Sequence, residues 1–152
     1  MLTRIAQINK IEISEIFTPD KSTFIELPLF LESVSAGFPS PADDYLENKL
    51  DLNDLLIRNP SSTFYVRVTG NSMINAGIYS GDILVVDRSL QAKDSNIVIA
   101  VINGELTVKR LQILKDKIFL QPENSRYKPI EIKEEMNFEV WGVVSTVIHS
   151  VI

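Results

Sequence analysis

Ser72 is the residue whose setting most directly indicates chemistry. It stands in Gly70-Asn71-Ser72-Met73, directly after a run, TFYVRVTG, that is typical of a β-strand, and glycines follow at 77 and 81. A serine at such a turn can present its hydroxyl to a cleft while nearby backbone N–H groups stabilise an oxyanion. Serines after strands also commonly form turns or cap helices. The motif by itself therefore leaves a nucleophile and a turn former as alternatives.

A nucleophilic serine needs a base, and two candidates differ in kind. His149 is the sole histidine and lies in VIHSVI, where a surface or edge-strand imidazole is the more ordinary interpretation. Lys109 lies in the strand-like run LTVKRLQIL, with Thr107, Leu111 and Ile113 on the same pleat face. A lysine amine has a reference pKa of about 10.4, so it acts as a base near neutral pH only where apolar burial lowers that pKa by about 3. Sequence alone favours an exposed lysine on a half-buried strand.

Four further residues have a functional and a structural interpretation. Asp82 and Asp87 can orient a base, but an aspartate in a turn or at a strand end more often binds nearby backbone. Met73 and Trp141 can shape a pocket, but packing is the usual role of apolar residues in a β core. We expect the structural role for each.

Composition sets the class of protein. The chain has 152 residues, of which 45% are hydrophobic, as expected for one globular domain. Fifteen Lys and Arg against 20 Asp and Glu give a formal charge of -5. Because non-specific DNA affinity comes mainly from cations that neutralise phosphates, we expect no direct sequence-specific DNA binding.

Residue types that are missing exclude several kinds of site. The chain has no cysteine and one histidine, which excludes disulfides, iron–sulfur clusters and a Cys/His zinc site. We therefore expect no metal and no cofactor. Apolar runs stay well short of a membrane span, which predicts a soluble, cytoplasmic protein without membrane association.

The elements that position these residues are mainly strands. After Pro60 the chain consists of short β-rich runs separated by turn residues, which predicts a mainly β domain with twisted, partly closed sheets. Asn103-Gly104 predicts a two-residue hairpin turn, since both positions tolerate positive φ.

The N-terminal part is predicted with less regular structure. Apolar residues over 5–16 mix helical and strand spacing, and residues 1–41 read as an extended arm. A helix is predicted from Pro41 through residue 50, and a second short helix over 52–57 that ends before Pro60.

Several separated motifs resemble one family. Ala36-Gly37 followed by FPSPADDY, GNSM at 70–73, SGDILVVD at 80–87 and TVKRLQ at 107–112 occur in the order found in the self-cleaving LexA/UmuD proteins. The similarity extends from about Phe24 to the C-terminus. It implies the C-terminal β domain of that family, with short helices and an extended N-terminal arm.

The resemblance also implies site residues. It assigns Ser72 as nucleophile, Lys109 as general base, Ala36-Gly37 as the scissile bond, and the backbone N–H groups of Asn71 and Ser72 as the oxyanion site. It divides the chain into an arm, 1–36, removed by self-cleavage, and a peptidase and dimerisation domain, 37–152. UmuD-type members often have Cys before the glycine, and the Ala found here is similarly small. His149 then becomes a bystander.

The implied function belongs to the SOS response to DNA damage. Only 36 residues precede Gly37, fewer than a helix-turn-helix domain needs, which favours the UmuD type over LexA. A RecA–single-stranded DNA filament would stimulate this self-cleaving serine endopeptidase, and the homodimeric product would join an error-prone, UmuC-like translesion DNA polymerase. A LexA-like self-cleaving transcriptional regulator and a non-cleaving dimerisation module stay open as alternatives.

Overall fold

Strands dominate the fold, as predicted. The structure, a computed structural model, describes residues 2–7, 13–30 and 47–152. In this part of the chain the strands are β1 Leu2–Gln7, β2 Ile13–Pro19, β3 Leu27–Phe30, β4 Glu47–Leu50, β5 Thr63–Val68, β6 Ile83–Asp87, β7 Ile97–Ile102, β8 Glu105–Leu114, β9 Lys117–Gln121, β10 Ile130–Glu131 and β11 Phe138–Ile148. The helical elements are α1 Leu52–Leu56 and two 3₁₀ turns, Pro60–Ser62 and Ile74–Ala76.

Nine of the strands form one antiparallel sheet. Their order is β1-β2-β5-β6-β11-β7-β8-β9-β10, and β3 pairs with β4 separately. The predicted turn at Asn103-Gly104 is confirmed: their φ angles are 49° and 82°, and Ile102 pairs with Glu105. This turn sets the register of β8, in which Lys109 lies opposite Val98.

The sheet buries side chains on both faces of its centre. Along β7, Ile99 belongs to one apolar core, whereas Val98 and Ala100 belong to a second. Because successive side chains of a strand point to opposite faces, the unbroken apolar run IVIAVI fits this arrangement. The first core also contains Val108 of β8 and Met73, which brings the serine turn and β8 to the same part of the domain.

The N-terminal region contributes to this core. β2 pairs with β5, and Ile13 and Ile16 are buried in the first core. The register of β2 shifts between Ile13 and Glu15, as at a β-bulge. An extra residue at a bulge lets side chains three apart reach the same face, which explains why the spacing here looked partly helical. Part of the predicted arm is thus a strand of the main sheet.

One of the two predicted helices is present. Helix α1 confirms the short helix over 52–57, and Asp51 caps it by accepting the Asn53 N–H at 2.7 Å. The helix predicted through residue 50 is wrong over Glu47–Leu50, which form β4. Pairing of Leu50 with Leu27 outweighs the local helical spacing there. The rest of that predicted helix lies outside the described residues.

None of the helices in the described part of the chain is long and apolar enough to cross a membrane.

Candidate active site

Ser72 lies in the loop that joins β5 to β6. Gly70 has a φ of 92°, a conformation that side chains rarely allow, and Ser72 follows it with 5% of its surface exposed. Two backbone hydrogen bonds close the loop at its base: Gly81 N–H donates to Val68 O at 2.8 Å, and Val68 N–H donates to Asp82 O at 3.0 Å. The serine is thereby held inside a short, closed loop.

Lys109 reaches Ser72 from β8. Its side chain is also 5% exposed, and Nζ lies 3.2 Å from Ser72 Oγ. Nζ further lies 2.8 Å from Thr107 Oγ1 and 3.0 Å from the Val108 carbonyl oxygen. The expectation of an exposed lysine is therefore wrong: the side chain is buried beside Ser72 and Thr107.

In the described part of the chain, the oxygens of Ser72, Thr107 and the Val108 carbonyl lie within hydrogen-bond distance of Nζ, which can donate to them. A base within hydrogen-bond distance of a hydroxyl can activate it as a nucleophile. The geometry brings the two predicted residues together, and their catalytic roles stay predictions.

Thr107 contacts Lys109 in the structure. The sequence pattern predicts that the two residues share a strand face but indicates no role for Thr107. Residues two apart on a strand share a face, which is why both side chains can meet at one point. The pleat alternation was the available signal.

A small cleft adjoins Ser72. Its lining is mostly apolar or backbone and consists of Val68, Thr69, Gly70, Ser72, Met73, Ile78 and Val108. Met73 both packs in the first core and lines this cleft. Trp141, in contrast, packs 5.3 Å from the Phe64 ring with the Arg88 guanidinium 4.5 Å from its own ring centre, so it has the expected packing role.

The two aspartates hold turns together. Asp82 accepts the Tyr79 N–H at 2.8 Å and lies 2.6 Å from His149 Nδ1. Asp87, at the end of β6, accepts hydrogen bonds from Asn59, Ser62 and Ser89. Burial acts to raise the pKa of Asp87, but these hydrogen bonds outweigh it and hold the pKa below its ordinary value.

The other predicted site residues fall into two groups. Asn71 is exposed beside Ser72, and its carbonyl accepts a hydrogen bond from Asn124 Nδ2 at 2.8 Å. Ala36 and Gly37, the predicted scissile bond, lie outside the described residues. The segment around Asn124 had no predicted role.

Comparison with protein families identifies the chain's family. Residues 28–145 match the family described as Peptidase S24-like. The chain belongs to the peptidase S24 family. This confirms the resemblance to LexA/UmuD proteins, and the mainly β fold agrees with it.

Curated relatives extend this result across most of the chain. Protein SamA of Salmonella typhimurium is 51% identical over 122 residues, 80% of this chain and 84% of that protein. Protein MucA of Escherichia coli is 44% identical over 127 residues, 83% of this chain and 84% of that protein. The LexA repressor of Clostridium acetobutylicum is 38% identical over 122 residues, 80% of this chain and 58% of that repressor.

Proposed function

We propose that this S24-family chain cleaves its own backbone between Ala36 and Gly37, with Ser72 as nucleophile and Lys109 as general base. The observation that carries the proposal is the buried contact of 3.2 Å between Lys109 Nζ and Ser72 Oγ. Membership of a peptidase family supports it.

The reaction uses these two side chains in turn. Neutral Lys109 takes the Ser72 hydroxyl proton as Oγ attacks the Ala36 carbonyl carbon. The tetrahedral oxyanion is stabilised by the N–H groups of Asn71 and Ser72. Protonated Lys109 then gives its proton to the Gly37 nitrogen, the C–N bond breaks, and an ester joins Ala36 to Ser72. Lys109 then takes a proton from water as the water oxygen attacks the ester carbonyl carbon. The C–Oγ bond breaks, Lys109 returns the proton to Ser72 Oγ, and residues 1–36 are released.

The cleft beside Ser72 fits a small residue before the scissile bond. The cleft has a volume of only about 10 Å³, and Met73, Ile78 and Val108 line it beside Ser72. A methyl group, as in Ala36, suits such a site. Since the scissile bond belongs to the chain itself, each molecule is cut once, by its own Ser72 or by that of a second copy.

In the cell, the cleaved form is proposed to act in the SOS response. We infer a cytoplasmic homodimer whose cleavage is stimulated by a RecA–single-stranded DNA filament, and whose product, 37–152, serves as accessory subunit of an error-prone, UmuC-like polymerase. The match to SamA and MucA over 84% of their lengths, against 58% of the LexA repressor, supports a UmuD-type role over a transcriptional one.

Intact-mass measurement tests the proposal. The purified chain is incubated at alkaline pH without activator, and we expect two fragments that meet at Ala36/Gly37. Ser72→Ala is the matched control and should stay whole. Fragments that meet at another bond, or the same fragments from Ser72→Ala, would show that Ser72 does not cut at this site.

A further inference from the structure

The segment that joins β9 to β10 holds the turn that carries Ser72. We call residues 122–127 the clamp loop. Glu123 N–H donates to the Ser72 carbonyl oxygen at 2.9 Å, and Asn75 N–H donates to the Glu123 carbonyl oxygen at 2.8 Å. Glu123 thus contacts the turn at Ser72 and Asn75, although it is about 50 residues away from them in sequence.

Asn124 of the clamp loop contacts the other side of the same turn. Its Nδ2 donates to the Asn71 carbonyl oxygen at 2.8 Å, and its Oδ1 accepts the Arg126 N–H at 3.0 Å. The side chain is 7% exposed. Because the oxygen is engaged by a backbone N–H, the amide orientation is fixed and Nδ2 must face Asn71.

The hydrogen bond from Asn124 to the Asn71 carbonyl also determines the direction in which the Ser72 N–H points. The Asn71 carbonyl and the Ser72 N–H belong to one planar, trans peptide unit, in which they point in opposite directions. Holding the carbonyl against Asn124 therefore directs the Ser72 N–H to the opposite side of the turn. That N–H is one of the two proposed oxyanion donors.

We propose that Asn124 is a positioning residue that orients the Ser72 N–H for the oxyanion. The inference rests on the proposed self-cleavage and adds a residue to it. Asn124 acts on the peptide unit before Ser72, whereas Lys109 contacts the Ser72 hydroxyl. Loss of the Asn124 donor should thus slow the chemical step without changing which base acts.

The test compares two Asn→Asp variants. Asn124→Asp keeps the size and the acceptor for Arg126 N–H but removes the donor to Asn71. Asn103→Asp is the matched control, because Asn103 Oδ1 accepts the Asn137 N–H and Asp preserves that acceptor. Self-cleavage rates are measured from pH 6 to 11, and thermal unfolding and the amide NMR signal of residue 72 are recorded for each protein.

We expect Asn124→Asp to lower the plateau rate by at least about tenfold and by no more than the roughly 100- to 1,000-fold found when an oxyanion donor is removed outright. Its residue-72 amide signal should move, and Asn103→Asp should behave like the unsubstituted chain. Asn124→Ala removes the donor without adding a charge and is measured beside it. The midpoint of the Asn124→Ala pH–rate curve should equal that of the unsubstituted chain.

Four outcomes would overturn the inference. A plateau within twofold of the unsubstituted chain removes Asn124 from the mechanism while the proposed function stands. A slower Asn124→Ala reaction with a shifted midpoint assigns the effect to the Ser72–Lys109 pair. If the unsubstituted chain does not cleave, the proposed function fails first and the inference fails with it. If the residue-72 amide signal does not move in Asn124→Asp, the positioning role is rejected whatever the cleavage rate.

Discussion

His149 lies against the buried carboxylate of Asp82, with 2.6 Å between Nδ1 and Oδ1, and its ring packs 5.2 Å from that of Tyr79. Among the described residues, Lys109 and not this imidazole is the base-type side chain in contact with Ser72. The two contacts assign different roles to the two candidate bases.

The first prediction follows from this assignment. Ser72→Ala and Lys109→Ala should each abolish self-cleavage, whereas His149→Ala should cleave at a rate close to that of the unsubstituted chain. Gel densitometry at pH 9 measures the rates, and circular dichroism checks that each variant is folded. Cleavage by Lys109→Ala together with none by His149→Ala would reassign the base.

Thr107→Val should slow cleavage because it removes an oxygen 2.8 Å from Lys109 Nζ while keeping the side-chain shape. One hydrogen bond of about 1.4 kcal/mol corresponds to a loss of about tenfold. Thr146, a half-buried residue of β11, provides the control. Thr146→Val should have little effect on the rate. Equal rates for the two variants would show that Thr107 does not position the amine.

A large residue at the scissile bond should block the reaction without altering Ser72 or Lys109. Ala36→Trp cannot enter the small cleft, so the carbonyl carbon cannot approach Oγ to the roughly 3–3.5 Å that attack requires. Ala36→Ser, with a small side chain, should still be cut. Mass spectrometry after a fixed incubation compares the two, and normal cutting of Ala36→Trp would place the scissile bond elsewhere.

The dependence of the rate on pH reports a lysine base. The neutral fraction of an amine grows about tenfold per pH unit below its pKa, so the rate without activator should rise at that slope and then level off. A rate that is flat from pH 7 to pH 10 would argue against such a base. A RecA filament that desolvates the amine would move the midpoint downward, whereas one that only docks the arm would scale the curve without moving it.

Asp87 should make folding stability dependent on pH. Its folded-state pKa is lowered, so its contribution is present above the unfolded pKa of about 3.9 and is lost as pH falls through the folded value. Asp87→Asn should therefore reduce the free energy of unfolding by about 1–3 kcal/mol at pH 7, and by less below pH 4. Urea unfolding of this variant and of Asp116→Asn, an exposed control, measures the difference.

Local pattern was sufficient for much of the β domain. The run ELTVKRLQIL coincides with β8, and the Asn-Gly turn before it takes the two positive φ angles that its residue types allow. Strand alternation and turn chemistry act between near neighbours, so sequence carries them. Several separated motifs, GNSM at 70–73 among them, likewise indicate the family from sequence.

Where the structure differs from the pattern in the sequence, contacts between distant residues determine the local conformation. Residues 47–50 have helical spacing but pair with β3, and Ile13 and Ile16 share a face only because β2 has a bulge against β5. Local propensity is worth tenths of a kcal/mol per residue and yields to such pairing.

For the site, the sequence determined the residue types and the tertiary structure determined the contacts. Ser72 and Lys109 are 37 positions apart, and Asn71 and Asn124 are 53 apart. Neither periodicity nor turn chemistry relates residues at such separations. Tertiary packing brings Lys109 of β8 and Asn124 of the clamp loop to the turn that carries Ser72, where Lys109 is buried.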